Sequence, residues 1–125
     1  MKPKKFSIAD RIKSFSFAVT GIVKLFKREH NARIHLAAIC MVVPLGWYLN
    51  LSKTEWGLLI IVMSLVVVTE LLNTAIESVC DLIEPNHNIN VEDAKDYAAG
   101  ATLIAAIAAM LIGCILFLPK MWVTW

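Results

Sequence analysis

An apolar segment at residues 58–68 runs directly into a stretch that carries carboxylates. Glu70, Asn73, Glu77 and Asp81 follow at steps of three and four residues, which places them on one face of a helix. One acidic side chain at the centre of a membrane helix costs about 2.5–3.5 kcal/mol on insertion scales, so such residues commonly mark function. This face predicts a functional site at the membrane. From the spacing alone, a polar helix end outside the bilayer is the alternative.

The composition predicts an all-α integral membrane protein with a single domain at residues 1–125. Hydrophobic residues make up 58% of the chain, whereas ordinary soluble domains contain roughly 45–50%. Three stretches are long enough to span a bilayer, at residues 34–51, 57–83 and 98–118. The five glycines form no phosphate-binding motif, and the histidines and cysteines show no metal-ligand spacing. We expect no nucleic-acid partner.

Positive charge is concentrated before the first predicted span. Of the 12 Lys and Arg residues, nine lie at or before Arg33. By the positive-inside rule, this places the N-terminus in the cytoplasm and the protein in the cytoplasmic membrane as a multi-pass protein. Residues 6–29 combine basic residues with apolar residues at helical spacing. We therefore expect an amphipathic helix that lies on the inner membrane surface.

A stripe of small residues lies in the third predicted span. Ala101, Ala105, Ala109 and Gly113 recur every four residues. Such stripes let membrane helices approach each other closely. Because three short spans enclose little space for a buried acidic site, we expect a homo-oligomer, with this stripe at the interface between protomers.

The acidic face suits two kinds of chemistry. Its carboxylates can bind a divalent cation through oxygen ligands, or one of them can act as a general base. Lys95 offers a positive charge that suits a phosphate group. A proton-conducting or transporter-like protein, which would relay protons through Glu70, Glu77 and Asp81, is a rival interpretation, although it leaves Glu29, Lys95 and Asp96 without a role. An accessory packing subunit would explain the small-residue stripe but not the acids.

The motifs resemble one family of small bacterial membrane enzymes. Residues 70–81 read ELLNTAIESVCD, and residues 95–101 read KDYAAGA. Together with RIKSFSFAVTG at residues 11–21 and with Glu29, Asn31 and the Arg33 segment, they resemble the bacterial diacylglycerol kinase and undecaprenol kinase family. The resemblance covers nearly the whole chain.

This resemblance implies a homotrimer of three-span protomers, each with an N-terminal surface helix, that transfers the γ-phosphate of ATP to a membrane lipid alcohol with Mg²⁺ as cofactor. It implies that Glu70 is the general base and meets the lipid hydroxyl, with Arg33 also on the lipid side. Glu29 and Glu77 are the implied Mg²⁺ ligands, with Asn73 and Asp81 in support. The implied ATP contacts are Arg11, Phe17, Glu29, Glu77, Asn86, His87, Asn88, Lys95 and Asp96.

Two departures from the family pattern concern the surface helix. Phe17 stands where the family often has Tyr, and Arg11 is one residue later than the arginine of some members. Residues 31–35, 51–56 and 95–101 resemble the undecaprenol kinase branch more than the diacylglycerol kinase branch. We therefore expect undecaprenol or diacylglycerol as the acceptor, with undecaprenol favoured by analogy.

Overall fold

A computed structural model describes residues 5–123 as four helices, α1 (Ile8–Arg28), α2 (His30–Tyr48), α3 (Lys53–Ile83) and α4 (Ile89–Val123). Residues 1–4 and 124–125, which include Lys2 and Lys4, lie outside the described residues. Helices α3 and α4 are each long and apolar enough to cross a membrane, by length and composition. Helix α2 is not among the helices that meet this criterion. Its first turn carries His30, Asn31 and Arg33, which lower its hydropathy.

Helix α1 is the predicted amphipathic segment, with bounds that are slightly narrower than residues 6–29. The Ser7 hydroxyl caps its N-terminus by accepting a hydrogen bond from the Asp10 backbone N–H at 3.4 Å. The apolar side chains Ile8, Ile12 and Phe15 are exposed, whereas Leu25 near the C-terminal end is buried. Helix α1 therefore packs on the protomer near its C-terminal end and presents an apolar face elsewhere.

Helix α2 ends before the predicted boundary at residue 51. Asn50 adopts a positive φ of 52°, the Asn50 N–H donates to the Trp47 carbonyl, and the Leu51 N–H donates to the Gly46 carbonyl. This is a Schellman-type helix end, which Asn tolerates better than most residues because its short polar side chain permits left-handed backbone. The predicted span at residues 34–51 therefore begins too late and ends too late, since the helix covers His30–Tyr48.

Helices α3 and α4 form an antiparallel pair that is linked at both ends by ion pairs. At one end, Lys120 Nζ lies 3.1 Å from Glu55 Oε2, and at the other end Lys95 pairs with Asp81. Ser52 and Glu55 also form a capping box, which fixes the start of α3. Helix α4 covers Ile89–Val123 and so begins well before the predicted span at residues 98–118, which leaves only residues 84–88 as the loop between α3 and α4.

The main apolar cluster lies at the Glu55 end of this pair. Leu49, Leu51, Leu59, Leu116 and Phe117 are buried together. A methyl group added at Gly46 would lie 2.9 Å from both Leu51 Cδ1 and Trp56 Cη2, so a larger residue here would force these side chains to shift. The cluster sets α2 against the α3 and α4 pair.

The small-residue stripe does not lie wholly on an outer surface. Ala105 is 2% exposed within a single protomer, whereas Ala101 is exposed. The expectation that the whole stripe forms the interface between protomers is therefore wrong at Ala105. Its small size allows close packing inside the protomer.

We expect Ala105→Leu to lower the free energy of unfolding by about 1–3 kcal/mol, because the larger side chain overpacks a filled position. Thermal unfolding in detergent, followed by circular dichroism, measures the effect. Ala101→Leu is the matched control on an exposed position and should leave the transition of the protomer unchanged. Equal stability of the Ala105→Leu variant and the wild type would show that α4 does not pack as described.

Candidate functional site

Glu70 is the buried acid of the predicted functional face. Its residue is 3% exposed, and its Oε1 atom lies 3.2 Å from Nε2 of His35 on α2. The Oε1 atom is buried and has no well-aligned hydrogen bond. The imidazole and the carboxylate are therefore within ion-pair distance, but they do not form an ideal hydrogen bond. The pair joins α2 to α3. It places a titratable carboxylate and an imidazole at one buried point.

The next turn of α3 carries oxygen atoms that lack partners. The Asn73 side-chain N–H donates to Glu77 Oε1 at 3.2 Å. Asn73 Oδ1 and Thr74 Oγ1 are buried and have no hydrogen-bond partner. Buried polar oxygens without partners are uncommon in folded proteins, and a bound ion is one explanation. Asn73 and Glu77 are thus in direct contact on α3.

Lys95 and Asp81 meet at the cytoplasmic end that the sequence predicts. Lys95 Nζ donates a hydrogen bond to Asp81 Oδ1 across α3 and α4. Lys95 is half-buried, whereas Asp96 is exposed. The ion pair holds the lysine ammonium at the end of the acidic face, where a phosphate would find a positive charge.

The predicted nucleotide loop is short and begins helix α4. Asn88 Oδ1 accepts a hydrogen bond from the Asn90 N–H at 3.0 Å, and the Asn88 carbonyl accepts from Val91 and Glu92. His87 Nδ1 lies 3.6 Å from Glu92 Oε2, and the Asn86 N–H donates to Glu84 Oε1. Asn88 thus has a structural role as the helix cap, beside any role in binding.

The next predicted residues lie on α1 and at the α1–α2 junction. Glu29 is half-buried in the one-residue break between α1 and α2. The Arg33 guanidinium donates to the Phe26 carbonyl at 3.0 Å and also to the Lys27 carbonyl, so it binds the last turn of α1. Arg11 stacks on the Phe6 ring at 5.7 Å, and Phe17 is exposed.

The donor set fits Mg²⁺ bound together with a nucleotide rather than a metal held by protein alone. In residues 5–123 no group of three or more His, Cys, Asp and Glu side chains lies close enough to hold a metal ion. Mg²⁺ commonly uses one or two carboxylates and takes its other ligands from water and substrate phosphates. Glu77, with the unpartnered Asn73 Oδ1 beside it, offers that kind of oxygen site.

An apolar cavity of about 470 Å³ lies between α2, α3 and α4. Its lining runs from His35 and Val66, near Glu70, to Leu59 and Phe117 in the apolar cluster. His35 is the one imidazole or charged side chain among the lining residues. The acidic site and the apolar interior of the protomer therefore meet at His35.

The sequence was compared with known proteins, and residues 16–117 match the family described as prokaryotic diacylglycerol kinase. The chain belongs to this family. It is 40% identical over 109 residues to the undecaprenol kinase of Bacillus subtilis, covering 87% of this chain and 89% of that protein. It is 32% identical over 105 residues to the diacylglycerol kinase of Escherichia coli K12, with 84% and 86% covered. The diacylglycerol kinase of Synechocystis is 39% identical, and the match spans 62% of it.

Membership of the prokaryotic diacylglycerol kinase family confirms the resemblance inferred from residues 70–81 and 95–101. Sequence reasoning did not find the pairing of Glu70 with His35, because His35 shows no ligand spacing and the contact depends on how α2 packs on α3. The sequence did contain one signal for this pairing, since His35 lies in an apolar segment and the next apolar segment carries the acidic residues. The family assignment and the relatives together identify the chain as a lipid kinase.

Proposed function

We propose that this protein is an ATP- and Mg²⁺-dependent undecaprenol kinase that works as a homotrimer at the cytoplasmic surface of the membrane. The observation that carries the proposal is a buried Glu70 on the same helix face as Glu77 and Asp81, in a chain of the prokaryotic diacylglycerol kinase family. Undecaprenol is preferred over diacylglycerol because residues 31–35, 51–56 and 95–101 resemble the undecaprenol kinase branch. The match also covers 89% of the undecaprenol kinase of Bacillus subtilis but only 62% of the Synechocystis diacylglycerol kinase, at similar identity.

The proposed chemistry is an in-line phosphoryl transfer. The lipid hydroxyl oxygen bonds to the γ-phosphorus as the bond to the β–γ bridging oxygen breaks, and ADP leaves. Glu70 accepts the hydroxyl proton, which is the task of a general base. A bound Mg²⁺ would supply neutralisation of phosphate charge, with Glu29 and Glu77 as its protein ligands. Lys95 is proposed to contact the phosphates. Its ion pair with Asp81 holds the ammonium group at the end of the acidic face, where it could do so.

The remaining predicted contacts complete the proposal for ATP. The proposed ATP contacts also include Arg11, Phe17, Asp96 and the loop residues 86–88. Arg33 is proposed to lie on the lipid-substrate side of the site, where its hydrogen bond to the Phe26 carbonyl positions α1. Helix α2 is proposed to cross the membrane in addition to α3 and α4, with the N-terminus in the cytoplasm. Exposed apolar side chains on α2, α3 and α4 supply lipid-facing and trimer-facing surfaces.

The contacts count against the proton-relay rival. A relay needs groups that exchange protons along the helix, but Asp81 is paired with Lys95 and Glu77 accepts a hydrogen bond from Asn73. Both carboxylates are therefore held by fixed donors of the protein. A kinase uses the same fixed charges directly.

We expect the purified protein in lipid vesicles to transfer radiolabelled γ-phosphate from ATP to undecaprenol in the presence of Mg²⁺. Parallel vesicles with diacylglycerol, with a saturated fatty alcohol and with no added alcohol test the acceptor. Faster labelling of diacylglycerol than of undecaprenol would overturn the proposed substrate. Absence of labelled lipid from every alcohol, together with proton flux across the vesicles, would support the relay instead.

A further inference from the structure

The proposed phosphoryl transfer assigns no role to the contact between His35 and Glu70. His35 is on α2 and Glu70 is on α3, so the contact depends on the packing of two helices. The side chains are 24% and 4% exposed, respectively. Within residues 5–123, His35 is the one charge-capable group paired with the Glu70 carboxylate.

A buried carboxylate needs such a partner to work as a base. Burial of an ionised carboxylate without hydrogen bonds or a counter-charge is strongly unfavourable. The surroundings of Glu70 supply little other help, since Val66 one turn away is buried and the adjoining cavity is apolar. Hydrogen bonds of catalytic groups are often long in the absence of substrate and shorten when it binds. A separation of 3.2 Å with imperfect alignment fits this behaviour.

We propose that His35 is a positioning residue for Glu70, whose Nε2–H donates to Oε1 and leaves Oε2 to accept the proton of the lipid hydroxyl. This inference rests on the proposed role of Glu70 as the base. The imidazole fixes the direction of the carboxylate across the α2–α3 boundary. Without the donor, Glu70 stays in place on α3 but its carboxylate loses its orientation.

The test compares His35→Leu, which removes the donor, with His35→Gln, whose side-chain amide retains an N–H donor at a similar distance from the backbone. We expect His35→Leu to lower kcat by about 10- to 100-fold, the range for misplaced reacting groups, while the KM for MgATP changes less than about twofold. We expect His35→Gln to recover most of the lost kcat. If His35→Leu yields no folded protein, His35→Phe, a ring without the donor, takes its place.

A matched control separates hydrogen bonding from packing. Ile39 lies one turn along α2 and lines the same cavity, and its apolar side chain offers Glu70 no hydrogen-bond donor. Ile39→Leu should leave kcat within about twofold of wild type, as volume-conserving swaps are generally tolerated. A loss in Ile39→Leu equal to that in His35→Leu would overturn the proposal in favour of simple packing.

Combining His35→Leu with Glu70→Gln separates this inference from the proposed function. If His35 acts through Glu70, the double variant should be no slower than Glu70→Gln alone, because the two effects are not independent. A multiplied loss, or equal activity of His35→Leu and wild type, would overturn the positioning role while Glu70 stays the base. Full activity of Glu70→Gln would instead overturn the base assignment itself.

Discussion

Replacing Glu70 with glutamine should lower kcat by about 10²- to 10⁴-fold, the usual contribution of a general base. Glutamine keeps the shape of the side chain and can still face His35, but it cannot accept a proton. Phosphoryl transfer to the lipid alcohol in vesicles measures kcat, and fluorescence or calorimetric titration measures MgATP affinity. We expect affinity to change by less than about threefold, since Glu70 is not proposed to contact the nucleotide.

Asp93→Asn provides the matched control for loss of an acidic charge, because Asp93 is exposed in the first turns of α4 and lies off the acidic face of α3. It should retain wild-type turnover. A Glu70→Gln variant that keeps more than about half of the wild-type kcat would show that another group accepts the hydroxyl proton.

The second large effect concerns the magnesium requirement. Glu77→Gln and Glu29→Gln should each raise the Mg²⁺ concentration for half-maximal activity by at least about tenfold. Loss of a residue that only orients a metal ligand lowers metal affinity or activity by about 10- to 100-fold. Loss of a direct ligand should lower the affinity by at least as much. The measurement is kcat against free Mg²⁺ at a fixed, saturating concentration of ATP.

Asn73→Asp refines the magnesium test, because it replaces the amide that donates to Glu77 with a second carboxylate. If Mg²⁺ binds beside Glu77, this variant should bind the ion with altered affinity. An unchanged magnesium dependence in Glu29→Gln and Glu77→Gln together would exclude the shared ion, while leaving Glu70 as base untouched.

The elements that depend on local pattern were predicted well from the sequence. The amphipathic spacing of residues 6–29 predicted α1, and the apolar run at residues 58–68 predicted a long α3, as found over Lys53–Ile83. The acidic face followed from the 3.6-residue period, and Glu70 is indeed buried. Such features follow from neighbours in sequence, so they need no knowledge of the tertiary structure.

The features that depend on packing could not be predicted. His35 and Glu70 meet because α2 lies against α3, and Lys95 pairs with Asp81 because α4 returns antiparallel to α3. Ala105 was assigned to an interface between protomers, although the structure buries it inside one. Spacing shows which residues share a face, but it does not show which neighbouring helix covers that face.

The closely packed corner at Gly46 also bears on the other end of α2. Leu51 and Trp56 lie so close to Gly46 that an added side chain would force them to shift, so this end of α2 packs directly against α3. Eleven residues separate Gly46 from His35, an arm of about 16 Å at 1.5 Å per residue. A rotation of about 5° at the corner therefore displaces His35 by about 1.4 Å, enough to separate Nε2 from the Glu70 carboxylate. The packing at the Gly46 corner therefore helps to set the distance between His35 and Glu70, because one helix carries both Gly46 and His35.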